Sequence, residues 1–267
     1  MISFNYKKIF IIPYSSLLIS ILICFLIFLS KKNFIFSESN DIVYALINIW
    51  GNLNLKSNDF LEYILYIINY AVTIYLFGTS ISDEFNKNFI YLFTRGSKLS
   101  RWILIKIKQI FISINIFFII QFITVLFLCK INNFIIYDIK KTLILFSYIY
   151  INLIIQTTIL ALISNILSLK FGSLIGYLLT FTSFSFCILL SYIFNLFQIN
   201  SYLIYIPFIS SITSWYDSLN WILNRELYAT SFYISGYNFY INLFFNIIIL
   251  FILILIIYKY IQKKELI

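Results

Sequence analysis

QIFISINIFFIIQFITVLFLC, residues 109–129, runs for 21 residues without one charged side chain. A helix rises 1.5 Å per residue, so a stretch of about 20 apolar residues crosses the roughly 30 Å hydrocarbon core of a bilayer. Outward from it, the same pattern recurs on both sides. Charge-free windows cover 9–30, 63–82, 142–169, 171–216 and 227–258, with lengths of 22, 20, 28, 46 and 32 residues. The 267 residues are 62% hydrophobic, 21% aromatic and only 11% charged, and mean hydropathy is +0.96. A soluble domain carries about 25% charged and about 45–50% apolar residues. This chain cannot cover itself with water-compatible surface. Disorder, a disulfide-stapled secreted fold, collagen and a coiled coil are excluded by the same figures. The expected class is an all-α polytopic membrane protein with one transmembrane domain over 1–267.

The 46-residue window holds either one span plus an apolar surface segment or two spans, and lysine and arginine placement chooses between them. Six spans with both termini cytoplasmic put Lys7, Lys8, Lys87, Arg95, Lys98, Arg101, Lys106, Lys108, Lys170, Lys259, Lys263 and Lys264 inside, against Asp83, Glu84 and Glu265. The outer segments then hold Lys31, Lys32, Lys56, Lys130, Lys140, Lys141 and Arg225, balanced by Glu38, Asp41, Asp59, Glu62, Asp138, Asp217 and Glu226. The whole excess of +9 therefore falls on one face, as the positive-inside rule requires. A seventh span would send the C-terminal lysines outside. The expected spans are 9–30, 61–81, 107–129, 142–168, 172–197 and 237–259, and the charge excess marks orientation, not nucleic-acid binding. The first span reads as a retained anchor, since no small-x-small cleavage site follows it before Lys31. Cys24, Cys129 and Cys187 fall in or at the end of spans, where polarizable packing is the default for a thiol.

Much chemistry is missing from the sequence. It holds no histidine, which removes histidine acid–base catalysis and histidine metal or haem ligation. Arg95-Gly96-Ser97-Lys98 lacks the first glycine of a phosphate loop. No ionisable residue lies deep in an expected span, where ion-coupled carriers place one. The expectation is therefore no enzyme, no metal site and no cofactor in this chain. If it moves something uphill, the energy arrives from another chain.

The segment 82–106 is the most informative. Ser82 is placed to cap a helix with Asp83 and Glu84 in its first turn, where the dipole favours acids. Phe85, Phe89, Tyr91, Leu92 and Phe93 make a partly amphipathic stretch, Gly96 breaks it, and Ser100 caps the next helix behind Arg101 and Trp102. This is either a fringe of snorkelling cations or a protein-docking loop. An acid after the second span (Glu84), an apolar run (Phe89 to Phe93), the turn Thr94 to Ser97, then Ser100-Arg101 and Lys106 resemble ABC-2-type transporter permeases. The motif covers about 25 residues and is degenerate; the six-span topology covers the chain. The resemblance implies that 82–106 is a coupling loop seated in a separate ABC ATPase subunit, which binds ATP and magnesium, and that two permease chains pair as a homo- or heterodimer. Carried over by residue, Glu84, Arg95, Lys98, Arg101 and Lys106 become the coupling candidates, with Lys170 in the next inner loop. Few residues precede the first span, leaving little room for the amphipathic helix that many relatives carry there.

Residues 198–236 are aromatic but interrupted by Pro207 and a Ser/Thr cluster. They are expected to form short interfacial or re-entrant helices before the sixth span, either a lid over an exit or a rim of headgroup-anchoring tyrosines and tryptophans. Within the spans, Asn115, Gln121, Asn152 and Gln156, with Asn69, Thr73 and Asn246, form either interhelical hydrogen-bond glue or the lining of a translocation path. Gly172 and Gly176 make a GxxxG step for close helix packing. The leading expectation is the permease subunit of an ATP-driven transporter, with a non-transporting assembly factor or sensor partner as the alternative. Its size is similar to small permeases of bacteriocin immunity and export systems, which implies export of peptide, drug or lipid-like compounds. Heavy use of Ile, Asn, Lys, Phe and Tyr points to an AT-rich bacterial genome and hence a bacterial plasma membrane.

Overall fold

The computed structural model describes residues 14–38, 40–51, 53, 60–86, 99–197, 200–206, 208–222 and 233–265. Its helices are α1 (Tyr14–Glu38), α2 (Ile42–Leu46), α3 (Phe60–Phe77), α4 (80–86), α5 (Leu99–Ile131), α6 (Ile139–Phe171), α7 (Ser173–Leu196) and α8 (Phe239–Glu265). A π turn, Ile47–Gly51, extends α2, and four 3₁₀ turns lie between Asn200 and Leu219. Six helices are long and apolar enough to cross a membrane, with α3 and α4 together forming the second, Glu62–Asn86. The protein is a multi-pass membrane protein, and each expected span overlaps one of these helices, with bounds that differ by up to eight residues.

Side-chain contacts fix the helix directions. Ser20 donates to the Phe117 carbonyl at 2.8 Å and the Cys24 thiol to that of Gln121 at 3.3 Å, so α1 and α5 advance together. Tyr63 reaches the Ser185 carbonyl at 2.8 Å, while the Tyr75 and Tyr177 rings lie 5.8 Å apart, so α3 and α7 are antiparallel. Tyr148 bonds Tyr240, and Tyr260 donates to the Leu169 carbonyl at 3.4 Å, so α6 and α8 run in parallel. One end of the bundle therefore gathers α4, the start of α5, the α6–α7 corner and the end of α8. It carries Arg101, Lys106, Lys108, Lys170, Lys259 and Lys263, and is here termed the basic end.

Several local expectations need correction. Ser82 is not a cap. It lies inside α4, fully buried, with its hydroxyl donating to the Thr79 carbonyl at 2.8 Å. Ile81 and Phe85 on either side are core residues, so packing continues the helix past the acids instead of restarting it. Ser100 likewise follows Leu99 inside the first turn of α5. Gly172 is a corner residue, not a packing one: its φ is +96° and a Cβ there would meet open space. Gly176 does pack, since a Cβ would fall 2.2 Å from Ser168 Oγ on α6.

The two segments expected at the outer surface are partly inside. Ile42–Gly51 falls in the outer segment between the first two expected spans, yet every one of its residues is buried. The stretch is apolar apart from Asn48, and at ten residues it is too short to cross the membrane, so it packs as a half-length insert. Asp41 caps it, accepting from the Val43 amide at 3.0 Å, and the Ile42 amide donates to Ile135 at 3.1 Å. Lys31, expected in water, is buried on α1 and donates to the Asn48 carbonyl. In the 198–236 segment, expected to form short interfacial or re-entrant helices, the described residues form 3₁₀ turns, and Ile209 to Tyr216 are buried. Phe208 adopts a left-handed φ of 69°, and serines and threonines that compete for backbone bonds follow it, which disfavours a regular helix.

Candidate functional site: the basic end and the buried amides

At the basic end the structure joins two of the coupling candidates. Lys106 on α5 forms an ion pair with Glu84 on α4, and the Trp102 indole donates to Glu84 Oε1 at 3.4 Å. The Phe85 and Trp102 rings lie 6.2 Å apart beneath the pair. Two helix ends separated by residues 87–98 are thus held together by one carboxylate and two side chains, spaced a helical turn apart, that reach it. Arg101 faces outward, exposed. Arg95 and Lys98 lie outside the described residues. Lys170 is exposed at the α6 terminus, with its ammonium 4.9 Å from the Phe171 ring centroid. A cation in the last turn of a helix also complements the dipole there.

The polar span residues do not form one strip. Asn115 donates to its own helix at Phe111, 2.7 Å, and accepts from Tyr150 at 3.1 Å. Gln121 is fully buried. Its amide donates to Asn69 at 2.9 Å and its oxygen accepts from the Trp50 indole at 3.3 Å, tying α5 to α3 and to the buried insert. Asn152 and Gln156 on α6 reach a different place, the underside of the 208–216 segment. Asn152 donates to the Ser210 carbonyl and, at 3.4 Å, to Thr213 Oγ1, while Gln156 donates to Ser210 Oγ. Tyr216 adds a bond to the same Ser210 carbonyl at 3.0 Å. Thr73 bonds back to its own helix at Asn69, 2.9 Å, and Asn246 pairs with Asn242 at 2.8 Å.

Irregular backbone buried within a helix bundle needs protein groups to satisfy it, and the amides of α6 do this at two levels. At the far end they hold Ser210. Nearer the basic end, Asn165 repairs the break between α3 and α4: its amide donates to the Phe77 carbonyl at 3.0 Å and to Ala161 at 2.8 Å, and its oxygen accepts from the Ile81 amide at 2.8 Å. The break exists because Gly78 presses on α6, where a Cβ would lie 2.6 Å from Ser164 Oγ. Sequence reasoning passed over Asn165, although an asparagine amid apolar span residues is itself a signal for an interhelical bond. It also passed over Tyr66, which bonds Ser211. No group of three potential metal ligands occurs among the described residues, and all three cysteines are free. No family model matches the chain, and no curated protein or solved structure matches it.

Proposed function

We propose that the chain is the membrane-spanning permease subunit of an ATP-driven, ABC-type transporter, with the basic end cytoplasmic in a bacterial plasma membrane. Two permease chains form the pathway, and a separate ATPase docks on residues 82–106 and on the corner at Lys170. Export of a peptide, drug or lipid-like compound is the direction and cargo that fit a chain of this size. The supporting observation is the Glu84–Trp102–Lys106 joint. A motor that pushes on a loop moves the membrane helices only if the loop is coupled stiffly to them, and this joint fixes both helix ends flanking 87–98 to each other. Arg101, exposed beside it, offers a cation that no described residue of this chain engages.

The test is co-purification with the ATPase encoded nearest to this reading frame. The wild-type chain retains that ATPase, and Arg101→Glu lowers the retained amount by about tenfold, the size of one lost interfacial charge contact turned repulsive. Retention of no ATPase by the wild type, or unchanged retention and transport by the variant, overturns the proposal.

A further inference from the structure

We infer that the turn joining α5 to α6 is a docking surface for an anionic phospholipid, with its lysines on the lipid phosphate and its isoleucines against the acyl chains. The inference is independent of the transporter reading. α6 has 33 residues and is about 50 Å long, more than the roughly 40–45 Å of a bilayer with its headgroups. Its first turn therefore stands in the headgroup layer at the far end of the bundle. Three cations gather there. Lys130 lies in the last turn of α5, Lys140 and Lys141 open α6, and a short turn brings the two helix ends together. Lys130 and Lys140 are exposed.

Neither topology nor helix electrostatics explains these cations. The positive-inside rule places them at the other end, and the first turn of a helix disfavours Lys140 and Lys141. Among the described residues no ion pair takes up any of the three. Asp138 caps α6, accepting from the Lys141 amide at 3.0 Å, and it offsets one charge at most. Residues 130–141 hold three lysines and one aspartate, which leaves an excess of +2. The same turn is apolar on its outside. Ile131, Ile135, Ile136, Tyr137 and Ile139 are all exposed, and a contiguous exposed apolar patch marks a protein or membrane contact. The backbone fixes this presentation. Phe134 is buried with its ring 6.4 Å from Phe28, and Ile135 donates to the Asn40 carbonyl at 2.8 Å and accepts from the Ile42 amide at 3.1 Å. An acidic soluble partner would match the lysines and leave the isoleucines unused. Because α5 and α6 cross the membrane, lipid already borders those isoleucines. A phospholipid with a net negative headgroup satisfies both halves at once, and Tyr137 suits the layer between them.

The experiment mixes the purified full chain in detergent with equimolar phosphatidylglycerol and phosphatidylcholine of the same acyl chains, and native mass spectrometry counts the lipid retained. The wild type prefers phosphatidylglycerol. The triple variant Lys130→Gln, Lys140→Gln, Lys141→Gln lowers that preference about fivefold for each lysine removed. Lys108→Gln with Lys259→Gln and Lys263→Gln removes the same charge from the basic end and keeps the larger part of the preference. Ile135→Ser with Ile136→Ser weakens retention of both lipids and leaves the preference unchanged. Glycerol 3-phosphate, offered in place of lipid, leaves no adduct. Lys140→Gln alone alters one exposed side chain, so it keeps the fold and reads in the same direction should the triple variant lose it. The surface is overturned by a wild type without preference, or by full preference in both the triple variant and Lys140→Gln. An equal loss in the basic-end variant, or glycerol 3-phosphate held as firmly as the lipid, overturns it as well. No ATPase is present in this assay, so its outcome is separable from the transporter reading.

Discussion

Asn165 and Gln156 are both buried amides of α6, and each holds irregular backbone in the interior of the bundle, yet they do so differently. Asn165 spends both of its polar atoms on three backbone groups, across and beside the break at Gly78. Gln156 holds a single serine hydroxyl and leaves an oxygen idle. The first is a completed structural joint near the basic end. The second is a joint with spare capacity under the far end. The contrast teaches that polar residues in a span cannot be sorted into glue and pathway by residue type. What separates them is whether their hydrogen-bonding capacity is used up.

Removing each amide tests the contrast most severely. Asn165→Leu strands the Phe77 carbonyl and the Ile81 amide in a medium without water, and it is expected to cost about 3 kcal/mol. Gln156→Leu removes one bond together with an unsatisfied acceptor, and it is expected to cost less than about 1 kcal/mol. Thermal unfolding of the two variants in the same detergent checks this. Equal losses would collapse the distinction between the joints.

A second comparison sets the close-approach glycines of the two levels against each other. A Cβ on Gly78 would lie 2.7 Å from Ser164 Cβ, whereas one on Gly51 would lie 3.3 Å from Thr213 Cβ in the 208–216 segment. Gly78→Ala forces α3 and α6 apart and is expected to cost about 2 kcal/mol. Gly51→Ala is expected to cost under about 1 kcal/mol, because the contact there is tight but short of a clash and that segment yields. Melting temperatures read against the native chain decide it, and a larger loss at Gly51 would mean that the 208–216 segment is the stiffer part.

The spans were legible because charges are sparse and their spacing measures the membrane. Residues 142–169 lie within α6 with short overhangs, and 109–129 within α5, which extends ten residues further at its start. The inserts were not legible for a physical reason. Ile42–Gly51 has ten residues and a single amide, and a short apolar run reads alike whether it packs inside or lies on the surface. Lys31 closes a charge-free window, so it marked an exit into water, whereas the α2 insert folds over it and offers the Asn48 carbonyl to its ammonium. Gly78 was silent because an isolated glycine in a helical pattern is tolerated, and its break appears only with Ser164 in place. Of the site residues, Glu84 and Lys106 stood out singly. That they pair is a tertiary fact, since a 22-residue separation that includes 87–98 carries no helical register.

That pair makes the smallest prediction and the one that best separates structure from coupling. Both side chains are partly exposed, 17% for Lys106 and 34% for Glu84, so water screens the attraction and the contribution to stability is about 0.5–1 kcal/mol. Glu84→Gln keeps the acceptor that Trp102 uses and removes only the charge. It is expected to leave the melting temperature within about 2 °C of native, consistent with so small a term in a chain of this length. A joint that matters for transmission shows itself elsewhere: Glu84→Lys lowers ATP-driven transport, and Glu84→Lys with Lys106→Glu restores it by remaking the pair in reverse. Restoration requires that the pair itself, not either charge alone, holds α4 against α5. Failure of the double variant to recover, with both chains folded and the ATPase retained, would assign the charges separately to the partner's surface and remove the joint from the coupling argument.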